Sequence, residues 1–196
     1  MSYAIVGFGE VGQALARAFA RKNIEVAIAT RRPPEALAQQ ARTIGPTVVA
    51  KTLQDAIQAD TIFLAVRFGD HQEVAKALAS LHGKTVIDVT NTFDDLGGLP
   101  SSAVVAKAFP RAKLVKGFNH LAAERLAADP SVNGGRRVVF LSSDDEGAAD
   151  PVAALAEQLG FAPIVLGKLD EGGALVQARG RTWGQLIFQD LFKKDR

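Results

Sequence analysis

Hydrophobic and polar positions follow two alternating patterns along the chain. Short apolar runs recur at Tyr3–Val6, Ile24–Ala29, Thr47–Ala50, Thr61–Val66, Thr85–Val89, Lys113–Phe118, Arg137–Leu141 and Pro163–Leu166. Runs of this kind suit strands of a parallel sheet covered on both faces. Amphipathic stretches lie between them. Val11–Lys22 puts Val11, Ala14, Leu15, Ala18 and Phe19 on one face at helical spacing, and Asn23 is placed to stop that helix in a left-handed conformation. Pro33-Pro34 predicts the first turn of a short helix to about Arg42. Thr52-Leu53-Gln54-Asp55 reads as a capping box opening a helix to Ala59. Asp70 to Glu73 predicts another cap, with a helix to Leu81 and a stop at Gly83. Ser101 or Ser102 is expected to cap a helix to about Phe109, and further helices are expected over Ala122–Ala128 and up to Leu159, with Gly160 as stop. Beyond Leu169 a glycine-bearing loop precedes an apolar-faced helix carrying Leu186, Ile187, Leu191 and Phe192. Strand and helix alternate throughout, which predicts an α/β fold built on a single doubly wound, mostly parallel sheet with a short C-terminal helical tail. No repeat or linker interrupts it, so residues 1–196 read as one domain.

The opening unit carries the most specific signal. Gly7-Phe8-Gly9-Glu10-Val11-Gly12 joins the first strand to the first helix. In this setting the first glycine permits a sharp turn, the second lets a pyrophosphate approach the main chain, and the third lets the helix lie close on the strand. The helix N-terminus adds unpaired N–H groups and a positive dipole end. Strand, glycine turn and helix together predict a Rossmann-type dinucleotide site. The second strand ends in Thr30-Arg31-Arg32, with no carboxylate before Glu35. A ribose 2′-hydroxyl is commonly met by Asp or Glu at that place, whereas a 2′-phosphate calls for positive charge. The expected cofactor is NADP(H), held by Gly7 to Gly12, Thr30, Arg31 and Arg32.

Composition removes several alternatives. Hydrophobic residues form 47% of the chain, ample for a core, and the net charge of +2 gives no reason to expect a nucleic acid partner. The absence of cysteine excludes disulfides and thiolate chemistry, and three scattered histidines give no expectation of a metal site. No apolar stretch approaches the ~18 residues of a membrane span and no signal peptide is visible, so a soluble, cytoplasmic protein is expected.

Ligands of such sheets sit beyond the carboxyl ends of the strands. That rule brings Ala65, Val66 and Arg67, then Asn91, then Phe118, Asn119 and His120 towards a nicotinamide. Asn91 and Asn119 could hold the nicotinamide amide or a substrate carbonyl, or equally be turn residues bonded to local backbone. His120 is a candidate acid or ring-orienting group, with a purely structural role as the alternative. Arg67 could meet an anionic ligand or be solvated. His71 and His82 are assigned no role, and Asp94 and Asp95 read as loop solvation. No nucleophile–base pair is visible, and the only tyrosine, Tyr3, lies inside a strand. The chain also lacks the length for a large helical substrate domain. Chemistry needing little acid–base assistance follows, with a planar ring as second substrate.

These features resemble the deazaflavin (coenzyme F420)-dependent NADP oxidoreductase family. The resemblance rests on the Gly7/Gly9/Gly12 turn, Thr30-Arg31, Val86-Ile87-Asp88-Val89-Thr90-Asn91, Val115-Lys116-Gly117-Phe118-Asn119, and Leu159-Gly160-Phe161 followed by Leu166-Gly167-Lys168-Leu169. It implies that Thr30 and Arg31 hold the 2′-phosphate and that the loops after Val66, Asn91 and Asn119 flank a stack of nicotinamide on deazaflavin or flavin. It also implies a homodimer in which the segment 169–196 helps to close the site. Thr92 stands where the family often has proline, His120 replaces a small polar residue, and the stretch from Gln177 to Trp183 has no clear match. The leading expectation is hydride exchange between NADP(H) and a deazaflavin or flavin. A non-catalytic NADPH sensor and a small carbonyl reductase using His120 are the alternatives.

Overall fold

The computed structural model describes residues 1–77, 81–178 and 192–193. In chain order its strands are β1 (Tyr3–Val6), β2 (Val26–Ala29), β3 (Val48–Ala50), β4 (Thr61–Leu64), β5 (Thr85–Asp88), β6 (Lys113–Gly117), β7 (Ser131–Val132), β8 (Gly135–Arg136), β9 (Val138–Ser142), β10 (Ala162–Val165) and β11 (Phe192–Lys193). The helices are α1 (Glu10–Arg21), α2 (Glu35–Ile44), α3 (Leu53–Ala56), α4 (His71–Ala77), α5 (Ser101–Ala108), α6 (Ala123–Ala127), α7 (Ala149–Gln158) and α8 (Ala174–Val176).

Eight strands form one sheet in the order β10-β9-β6-β5-β4-β1-β2-β3. All neighbours are parallel except β6 and β9, which pair antiparallel through Lys116–Ser142 and Gly117–Leu141. The order reverses direction between β1 and β4, so the crevice of a doubly wound sheet opens above those two strands.

The strands are apolar on both sides because both sides are covered. Ile5, Ile28, Phe63, Ile87 and Val115 enter one core with Leu15 and Phe19 of α1, Leu37 of α2 and Val152 and Leu155 of α7. Their strand neighbours Ala4, Val6, Ile62, Leu64, Val86 and Leu114 enter a second core with Ala56 of α3, Val74 of α4 and Val105 of α5. This period-two division is why the runs lack polar interruption. A ladder of rings, Tyr3–Phe19–Phe63–Phe118–Phe161, runs through the first core with centroids 5.3–6.0 Å apart.

Local signals behave as their chemistry requires. Asn23 takes φ 54 after α1, and Thr52 Oγ1 accepts from the Asp55 N–H at 3.1 Å. The α3 helix is shorter than expected, since Gln58 and Ala59 return to tighter i→i+3 bonds. Ser101 and Ser102 do not cap α5. Pro100 occupies the cap position, and Ser102 turns inward to Asp88. Asn133 and Gly134, both at positive φ, turn a small hairpin, β7–β8, that the expected single strand from Arg137 did not include. Phe192, expected in a helix, lies instead in β11, paired antiparallel with β8. The rest of that tail helix, Leu186, Ile187 and Leu191 included, lies outside the described residues. Among the described residues no helix is long and apolar enough to cross a membrane.

Candidate functional site

A cavity of about 260 Å³ opens at the reversal point. Its floor comes from the glycine turn. Gly7 takes φ 102, and a Cβ there would lie 2.3 Å from the Ala65 carbonyl oxygen, so only glycine lets β1 turn beside β4. A Cβ on Gly12 would lie 2.1 Å from the Gly7 carbonyl oxygen, and that contact brings α1 down on the turn. Gly9 differs from both. It precedes the first residue of α1, and no atom lies within 4 Å of a Cβ built there. Gly9 itself lines the cavity, and a side chain there would meet open space. Beside it the first turn of a twelve-residue helix offers N–H groups without partners in the helix. The cradle fits a dinucleotide pyrophosphate.

Of the residues singled out from sequence, Gly7, Phe8, Gly9, Thr30, Arg31, Ala65, Val66 and Arg67 line this one cavity. Glu10, Val11, Gly12 and Arg32 do not. Gly12 serves packing, and the Arg32 N–H donates to Thr30 Oγ1 at 3.0 Å while its side chain is exposed. Five lining residues carried no such expectation: Val6 of β1, Leu53 of α3, and Asp70, Glu73 and Val74 at or beside α4. Glu73 Oε2 accepts from Arg31 Nη1 at 2.7 Å across the rim. Glu73 is separated from Arg31 by 42 positions and sits among residues readable as a helix cap, so nothing local revealed the pairing.

The second group lies along the sheet at the ends of β5 and β6. The Asn91 side-chain amide donates to the Asn119 carbonyl at 2.8 Å, and the Asn119 amide donates to Asn91 Oδ1 at 3.1 Å and to the Val176 carbonyl at 2.9 Å. Thus two loops and the segment around α8 are tied at one point. Phe118, just before, holds a left-handed φ of 60, uncommon for a bulky residue, while its ring packs between Phe63 and Phe161. Its side chain belongs to the core rather than to the cavity.

Beneath these loops is a buried charge pair. Lys116 Nζ lies 3.2 Å from Asp88 Oδ2, both essentially without solvent contact, and also donates to the Thr90 carbonyl. Asp88 further accepts from Ser102 Oγ at 2.7 Å and the Thr90 N–H at 2.9 Å. Burial pushes the Lys116 ammonium below its ordinary range, and the neighbouring carboxylate pulls it back. The pair fixes the backbone of Thr90, next to Asn91. Its trace in the sequence is two charged residues inside apolar runs, which become register partners across β5 and β6.

His120 points elsewhere. It is 3% exposed, its ring packs on Phe140 at 5.0 Å, and Nε2 donates to the Val138 carbonyl at 3.1 Å. Burial lowers its pKa to about 4, so the imidazole is neutral near pH 7. It does not line the cavity beside Gly7 and Arg31. His71 is also buried, with Nδ1 bonded to the Phe68 carbonyl, and the Asp94 and Asp95 carboxylates accept bonds from Thr92 Oγ1 and the Gly97 N–H of their own loop.

Comparison with known proteins gives the chain's relatives. Residues 2–92 match the family described as NADP oxidoreductase, coenzyme F420-dependent. The crystal structure of a hypothetical protein, SMa0349, from Sinorhizobium meliloti is 39% identical, with a TM-score of 0.90 over 99% of this chain and 96% of that one. A candidate F420-dependent NADP-reductase from Arthrobacter sp. FB24 is 28% identical, with a TM-score of 0.74 over 86% of each chain. The metalloreductase STEAP3 of Rattus norvegicus is 30% identical over 172 residues, 84% of this chain and 33% of its own length. The chain thus spans about a third of the length of the curated relatives it matches. The matched segment 2–92 contains β1, the glycine turn, the Thr30-Arg31 corner and the strand β5 that leads to Asn91. Over residues 2–92 the chain carries the domain of the coenzyme F420-dependent NADP oxidoreductase family.

Proposed function

We propose that this oxidoreductase uses NADP(H) and exchanges hydride with a planar ring acceptor of the deazaflavin or flavin type. The observation that carries the reading is the meeting of Gly9 and Arg31 in one cavity. An open phosphate cradle lies on one side, and a guanidinium at the end of β2 lies on the other. Arg31 and Thr30 hold the 2′-phosphate, Arg through its fork of N–H donors. The N–H groups at the start of α1 and the main chain at Gly9 hold the pyrophosphate. Ala65, Val66 and Arg67 border the path from the phosphates towards β5. When bound, the cofactor supplies or receives hydride at its nicotinamide ring. The Asn91–Asn119 pair keeps the β5 and β6 loops in fixed relation, and positioning of the two rings provides most of the catalysis.

Ring-to-ring hydride transfer needs no enzymic acid, which fits a region where His120 is neutral and buried. The same burial leaves the carbonyl-reductase alternative without its acid. One NADP-binding domain over residues 1–196, acting in the cytoplasm as a homodimer whose segment 169–196 closes the site, completes the reading.

Rapid mixing of the protein with NADPH and, separately, coenzyme F420, FMN or FAD tests it. The account expects loss of the reduced-nicotinamide absorbance with at least one ring acceptor. Tight NADPH binding without oxidation by any of them would leave the sensor reading instead.

A further inference from the structure

Arg31 is not waiting bare for a phosphate. Its guanidinium donates to Glu73 Oε2 at 2.7 Å, and both residues line the cavity that contains Gly9. Glu73 stands in the first turn of α4, beyond β4, whereas Arg31 follows β2. The pair therefore spans the rim of the cavity from one strand end to the next helix. Both side chains are well exposed, 72% and 63%, so the contact is cheap to break and either partner can turn to a ligand.

We propose that Glu73 is a specificity-determining residue: an internal anion that occupies the 2′-phosphate seat on Arg31 and narrows the preference for NADP(H) over NAD(H). The inference rests on the assignment of Arg31 to the 2′-phosphate. A 2′-phosphate arriving at Arg31 meets a carboxylate bonded to the same guanidinium. It displaces Glu73 or shares the guanidinium with it, and in either case two anions crowd one cation. A ribose 2′-hydroxyl carries no charge and can donate a hydrogen bond to Glu73. The carboxylate thus weakens the phosphorylated cofactor and leaves the other unharmed. Arg67 also lines the cavity and adds positive charge but has no such anion bonded to it among the described residues.

The test is calorimetric titration of wild type, Glu73→Gln and Arg31→Ala with 2′,5′-ADP and with 5′-AMP, fragments that differ only at the 2′ position. For Glu73→Gln the account expects 2′,5′-ADP to bind about three- to fivefold tighter, with 5′-AMP changed less than about twofold. The gain should shrink at high salt, because exposed charges are screened there. A glutamate that merely folds α4 would shift both ligands alike. Unchanged or weaker 2′,5′-ADP binding by Glu73→Gln, with the wild-type preference intact and lost in Arg31→Ala, overturns the role of Glu73 alone. Equal binding of the two fragments by wild type overturns the 2′-phosphate assignment and this inference with it.

Discussion

Asn91 and Asn119 exchange hydrogen bonds across the ends of β5 and β6, each side-chain amide donating to the other residue, at 2.8 and 3.1 Å. Neither bond belongs to the sheet ladder, so the loops that would flank the nicotinamide are fixed to one another by side chains. Asn91→Ala leaves the Asn119 carbonyl and amide short of partners in a nearly buried place, and an unmet buried polar group costs about 1–3 kcal/mol. We expect stability to fall by that amount in urea denaturation. Single-turnover hydride transfer should slow more than NADPH affinity falls, because the loops position the rings rather than the phosphates.

The Asp88–Lys116 pair should behave as a unit. Removing one partner strands a charge with almost no solvent contact, which costs roughly 3–5 kcal/mol. Lys116→Met alone is expected to show this loss in urea denaturation. The double variant Asp88→Leu/Lys116→Met should recover a large part of it, since two apolar side chains leave no buried charge. A double variant as unstable as the sum of its singles would contradict the account.

The glycines of the first turn separate packing from binding. At Gly9 an added methyl meets only open space, and the backbone is extended, so Gly9→Ala should keep the wild-type urea midpoint. The same methyl occupies the pyrophosphate approach and should weaken NADPH binding about tenfold or more. Gly12→Ala drives a Cβ to 2.1 Å from the Gly7 carbonyl and should destabilise the fold by about 2 kcal/mol or more. Titration and denaturation of the two variants check the contrast.

His120 predicts a pH dependence. Its folded pKa, about 4, lies below the ordinary 6.5 because burial disfavours the imidazolium. The unfolded chain therefore binds the proton first on acidification. The stabilising contribution is complete above pH 6.5 and is lost as pH falls towards about 4, amounting to about 3 kcal/mol at the acid end. Denaturation curves between those pH values should show this decline in wild type. In His120→Leu the decline should be shallower, because no imidazole remains to protonate.

Much of the fold was legible because its signals are local. Apolar runs, the turn at Gly7, the left-handed Asn23 and the Thr52 cap each act within a few residues of themselves. That Gly7, Gly9, Thr30 and Arg31 share one cavity was legible for the same reason, since one strand–turn–helix unit and the next strand end supply them. What was hidden is what the sheet assembles from distant segments. Glu73 meets Arg31, Asp88 meets Lys116 and Ser102, and Asn119 meets Asn91 and Val176 only through the strand order. The serines before α5 show how such contacts override a local rule. Ser102 has the chemistry of a cap, but the buried carboxylate of Asp88 needs its hydroxyl more than an exposed helix end does.

Titrating NADPH and NADH into wild type and Arg31→Ala tests most directly whether the Gly9–Arg31 cavity is an NADP(H) site. A charge-assisted hydrogen bond to phosphate is worth roughly 1.5–3 kcal/mol. The account predicts that wild type prefers NADPH and that Arg31→Ala weakens NADPH by about ten- to a hundredfold while leaving NADH nearly unchanged. Equal affinity of wild type for both cofactors, or an equal loss of both in the variant, would contradict it.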